Sequence, residues 1–95
     1  MAAYLMVDVE VTDQVTYDAY RSQTGAVLAK YGGRFLVRGG RHETLEGDWK
    51  PHRFVVIEFA DMAALKRFYD SPEYRPLLAQ RLRASNSRAI AVEGL

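Results

Sequence analysis

Four side chains stand out as able to do chemistry together: Tyr4, Asp8, Arg38 and Glu58. Tyr4 and Asp8 fall in YLMVDVEV (residues 4–11), Arg38 closes RFLVR (34–38), and Glu58 lies in RFVVIEFA (53–60). Counting by two along each segment puts all four on one strand face, opposite the apolar row Leu5, Val7, Val9 and Val11. Two neighbouring carboxylates push one pKa up, and a guanidinium beside them pulls both down. A carboxylate held partly protonated in a dry pocket serves as a general acid or base, which is the role open to Asp8 or Glu58. Arg38 would grip a substrate carboxylate or enolate with a two-pronged contact. The same residues also fit a structural role, with Arg38 and Glu58 as a cross-strand ion pair and Asp8 reaching solvent at a rim.

Other reactive residue types offer less. Tyr17, Tyr20 and Tyr31 recur at helical spacing, with Tyr69 and Tyr74 further on. A phenol can stabilise an oxyanion, but tyrosines so spaced serve as core residues with hydroxyls at the edge. Tyr4, on the strand face, is the better pocket residue. The two histidines, His42 and His52, flank a Gly47–Pro51 turn, show no HxH or HxxxH spacing, and read as exposed loop residues. Trp49 in that turn is either an anchor for a second copy or a cover for its own loop. Gly32-Gly33 and Gly39-Gly40 fit neither GxGxxG nor a P-loop, and no serine sits in GxSxG. No metal or organic cofactor is indicated.

Composition narrows the classes. Ninety-five residues make one domain, and 48% apolar content is that of a globular protein. With no cysteine there are no disulfides, thiolate metal sites or cysteine nucleophile, which suits a reducing, cytoplasmic setting. The N-terminus lacks signal-peptide character, and no apolar run approaches a membrane span. A net charge of +1, with arginines 75, 81, 83 and 88 as the densest basic stretch and three of them on or near one helix, argues against a nucleic-acid partner.

These residues are carried by a recognisable series of elements. The alternating strand 4–11 is followed by a helix capped by Asp13, with the stripe Tyr17, Tyr20, Thr24, Val27, Leu28 and Tyr31 and an end at Gly32-Gly33. A second strand, 34–38, breaks at Gly39-Gly40, and RHETLE (41–46) continues as a ribbon. The apolar run 53–60 is a central strand. Asp61 caps a helix with Met62, Leu65, Phe68 and Tyr69 on one face. The next helix starts at Ser71-Pro72 or at Pro76 and presents Tyr74, Leu77, Leu78, Arg81 and Leu82. A turn at 85–87 leads to a last strand, 88–93. The order β-α-β-β-α-β is the α+β, ferredoxin-like pattern: a four-stranded antiparallel sheet with helices on one face. The face with Met6, Leu36, Phe54 and Val56 is too apolar to stay wet, so a homodimer closing a dimeric α/β barrel is expected.

YGGRFLVRGG (31–40), LEGDWKPHRFVVIEF (45–59), SPEYRPLL (71–78) and the terminal VEG (92–94) resemble the domain-of-unknown-function family numbered 1330. The resemblance spans nearly the whole chain and implies membership of the dimeric α/β-barrel superfamily. It carries over no catalytic residues, and the wider superfamily ranges from cofactor-free monooxygenases to haem-handling enzymes, so fold alone does not assign a reaction. Three functions stay open. The first is a cofactor-independent enzyme acting on a small organic acid or enol, in a pocket between sheet and helices or between sheets. The second is a metabolite-binding module without chemistry. The third is a purely structural dimer.

Overall fold

Alternation in the first segment gives β1 (Ala3–Val11), whose Leu5, Val7 and Val9 side chains are buried. The computed structural model describes residues 1–95. α1 (Gln14–Lys30) starts where the Asp13 carboxylate accepts the Thr16 amide at 3.2 Å and the Thr16 hydroxyl at 2.6 Å. It buries Tyr17, Tyr20, Thr24 and Leu28, and it stops at Gly32, whose φ of +79° is the left-handed conformation glycine adopts freely. β2 (Arg34–Arg38) and β3 (Arg53–Phe59) follow, then α2 (Met62–Tyr69), α3 (Arg75–Ala84) and β4 (Ser85–Glu93). The sheet order is β2-β3-β1-β4, antiparallel throughout, with α1, α2 and α3 over one face. Phe59, Phe68, Leu28 and Leu65 form the centre of the core between layers. No helix is long and apolar enough to cross a membrane.

The structure departs from the sequence expectations at three places. Residues 41–46 form no ribbon. The loop from Gly39 to His52 is held by its own polar links, His42 Nε2 to the Pro51 carbonyl at 2.7 Å and Thr44 Oγ1 donating to the Trp49 carbonyl at 2.6 Å. Residues 85–87 are strand, not turn: β4 begins directly after α3, and the Ala84 carbonyl accepts the Thr12 and Asp13 amides to tie the junction to the end of β1. Of the two starts expected for α3, the structure has the one beside Pro76, because the Ser71 hydroxyl accepts the Tyr74 amide and makes 71–74 a turn.

The third departure moves a candidate site residue. β2 contains a β-bulge between Phe35 and Val37. Phe35 lies opposite Ile57, yet Val37 lies opposite Val56 and Arg38 opposite Val55. The extra residue, Leu36, reverses the alternation, so Phe35 and Arg38 share the helix-side face with Val55 and Ile57 while Val37 joins the uncovered face.

Candidate functional site

The four sequence candidates do not converge. Tyr4 and Glu58 are directly opposed across β1 and β3 on the uncovered face, and the Glu58 carboxylate accepts the Arg34 Nε–H at 2.7 Å. Thus the cross-strand partner of Glu58 is Arg34, not Arg38. Asp8 is on the same face but opposite Phe54 and Arg88, four residues along β1 from Tyr4, which is roughly 13 Å. Arg38 is on the other side of the sheet.

Asp8 is buried and fully engaged. Its carboxylate accepts the His52 backbone N–H at 2.9 Å and the Trp49 indole N–H at 3.2 Å. Burial alone would raise its pKa, but these two donors and the charges of His52 and Arg88 outweigh it and hold the carboxyl below its ordinary value. An aspartate so stabilised is a weak base, and its contacts fasten the 39–52 loop to the sheet. His52 also approaches Glu10, at 3.4 Å, and Trp49 sets its ring edge against Phe54.

A cavity of about 310 Å³ opens between the helices and the sheet. Its floor is Leu5, Val7 and Val9 of β1 with Val55 and Ile57 of β3, and its roof is α1 through Tyr17, Tyr20 and Thr24. Four guanidinium groups line it, from Arg21, Arg38, Arg53 and Arg81, against one carboxylate, Asp18. Asp18 is itself occupied, by Arg21 at 3.2 Å and by the Gln14 amide at 2.9 Å. Arg38, Arg53 and Arg81 have no carboxylate partner. Arg38 lies over the Phe35 ring, and Arg53 donates its Nε–H to the Tyr17 hydroxyl at 3.2 Å. Gly39, at φ +72°, passes so close to the Arg53 guanidinium that any Cβ there would overlap it.

At the inner end the Tyr20 and Tyr74 hydroxyls are 2.9 Å apart. Burial first, and then the Tyr74 phenol, push the Tyr20 hydroxyl far above the usual phenol range, so it stays protonated and keeps a proton to donate. Of these residues the sequence reading singled out only Arg38 as a site residue. Tyr17 and Tyr20 belong to the α1 stripe expected to be plain core. Arg81 had a usable signal, since it occupies a buried position of an otherwise apolar stripe on α3.

A family model described as a domain of unknown function (DUF1330) matches residues 2–95. The chain belongs to that family. No curated protein matches this DUF1330 chain significantly. Among solved structures, a protein of unknown function from Rhodopseudomonas palustris superposes with a TM-score of 0.78 at 22% identity, over 99% of this chain and 82% of that one. A dimeric ferredoxin-like protein of unknown function from Jannaschia gives 0.67 at 15% identity, over 99% and 100%. A mutant of SnoaB, a cofactor-independent oxygenase from Streptomyces nogalater, gives 0.67 at 20% identity, over 98% and 92%. These likenesses establish the ferredoxin-like fold for the DUF1330 chain.

Proposed function

We propose that this protein binds a small organic acid or enol in the cavity between helices and sheet and acts on it without a cofactor. The observation that carries this reading is the charge of the lining: an apolar floor under four guanidinium groups and one already paired carboxylate. Such a cavity attracts an organic anion, with its apolar body on Val55 and Ile57 and its charged end between Arg38 and Arg53. A guanidinium beside an enol favours the enolate, and a phenol that stays protonated donates to the developing oxyanion. Arg38 therefore keeps its anion-holding role, moved to the helix side, with Arg53 beside it. Tyr4, Asp8 and Glu58 lie outside this cavity and take no part in it. The fold shared with SnoaB supports a cofactor-independent reaction.

A non-catalytic binding role is the second reading, favoured by one feature: Asp18, the carboxylate of the lining, is tied to Arg21 and Gln14 and is not free to take a proton. We further read the protein as a single-domain cytoplasmic homodimer. Leu36, Ile90 and Val92 are exposed, and Met6 and Val56 complete an apolar face on which a second sheet can pack. The likeness to dimeric ferredoxin-like proteins supports this assembly.

The test is native mass spectrometry of gently released protein, followed by calorimetric titration with aromatic and aliphatic carboxylates. Binding by the wild type that falls at least tenfold in the double variant Arg38→Met/Arg53→Met supports the anion site. Equal binding by both proteins refutes it. A bound compound returned chemically changed favours the enzyme, and one returned intact favours the binding module.

A further inference from the structure

Arg81 is 3% exposed and has no carboxylate partner, although a buried cation is costly unless paired. Its Nη1 donates to the Ser87 hydroxyl at 2.6 Å, while its Nε–H is buried with no acceptor. The phenols of Tyr20 and Tyr74 stand beside it at the inner end of the cavity. An arginine whose only role was to hold Ser87 would not need a full charge, nor an unused donor, in that position. A lost hydrogen bond to a buried charged group is a standing penalty, which an anion seated there would relieve.

The sheet register gives the spacing. Ser87 lies opposite Val9, and Val9 lies opposite Arg53. The three residues form one row across β4, β1 and β3, so the Arg81–Ser87 contact and Arg53 are two strand spacings apart, roughly 10 Å. Between them the floor is apolar, with Val7, Val9 and Val55. The cavity thus has a cationic group at each end and no free polar group on the floor between.

We propose that Arg81, with the Tyr20 and Tyr74 hydroxyls, forms a second anion subsite, and that the ligand class of this cavity is an organic diacid with an apolar middle. One acid group sits between Arg38 and Arg53 at the mouth, and the other accepts the Arg81 Nε–H at the inner end. This rests on the anion-binding reading of the cavity and specifies its substrate class. A ligand with one charged end leaves the Arg81 donor unused, so the site discriminates by the second group.

The experiment compares 1,4-phenylenediacetate, which has two acid groups, with 4-methylphenylacetate, which has one, by calorimetric titration. The proteins are the wild type, Arg81→Met and Arg53→Met. The expected result is that the wild type binds the diacid at least tenfold tighter than the monoacid. Arg81→Met should bind the two alike, and Arg53→Met should bind both more weakly. Equal wild-type affinity for the two probes, or a diacid preference that survives in Arg81→Met, overturns the inner subsite while leaving the outer anion site standing. No binding of either probe by the wild type overturns the anion reading of the cavity and the diacid assignment together. If Arg81→Met fails to fold, the Arg81 Nε–H resonance of the wild type decides instead. A shift with diacid and none with monoacid supports the subsite, and no shift with either refutes it.

Discussion

Replacing Asp8 by alanine should loosen the 39–52 loop and destabilise the whole protein. The carboxylate is buried and accepts two hydrogen bonds, from the His52 amide and the Trp49 indole. A hydrogen bond to a charged acceptor contributes about 1.5–3 kcal/mol, so the pair gives about 3–6 kcal/mol before any compensation. Trp49 is 52% exposed and the His52 side chain 53%, so water reaches the released donors. Recovery of roughly half leaves a loss of about 1.5–3 kcal/mol. For a domain of this size that lowers Tm by about 6–24 °C. Asp8→Asn retains an acceptor for the His52 amide but not the charge, and its Tm should fall between those of the wild type and Asp8→Ala. The pH dependence follows from the lowered folded-state pKa of Asp8. Its contribution is complete above the unfolded-state value, about 3.9, and is lost as pH falls through the lower folded value. The gap in Tm between wild type and Asp8→Asn should therefore be widest near neutrality and close in acid. Thermal melts followed by circular dichroism, with Trp49 fluorescence as a local reporter, measure both effects. A Tm change below about 2 °C with unchanged fluorescence would show that these contacts do not fasten the loop.

Glu58→Gln should leave carboxylate binding in the helix-side cavity unchanged and cost under about 1 kcal/mol, because its partner Arg34 is 72% exposed and the pair is screened by solvent. Titration calorimetry and a denaturant melt check the two halves of that statement. Ile90→Lys places a charge in the middle of the uncovered apolar face and should convert the proposed dimer to monomer in sedimentation velocity, with the far-ultraviolet spectrum retained. Gly39→Ala forces a side chain into a left-handed conformation and displaces the Arg53 guanidinium. It should cost about 1 kcal/mol of stability and weaken carboxylate binding, and a variant that binds as tightly as wild type would separate Arg53 from the site.

The elements with strong local signals were legible in the sequence. Alternation specifies β1, the tyrosine stripe and Asp13 specify α1, and the glycine pair marks its end. The Arg41–Glu46 stretch has one β-branched residue, Thr44, and no neighbour to pair with, and its polar groups close on the loop instead. The small polar residues 85–87 favour a turn by type, whereas here the ladder with β1 and the Ala84 carbonyl bonds extend the strand. The site was less legible because parity counting assumes an unbroken ladder. One bulged residue in β2 carries Arg38 to the opposite face, and nothing in RFLVR announces it. Asp8 and Glu58 do share a face as counted, but their separation along the strands depends on the register, which alternation leaves open.

The bulge has a consequence for how this protein can change. Substitutions in β2 can add or remove a charge at either face, but they cannot exchange the faces. Deleting Leu36 does not exchange them either: it removes the bulge and leaves Val37 opposite Val56 and Arg38 opposite Val55. This short edge strand therefore carries one residue of slack, and losing it would straighten β2 without turning Arg38 from the cavity.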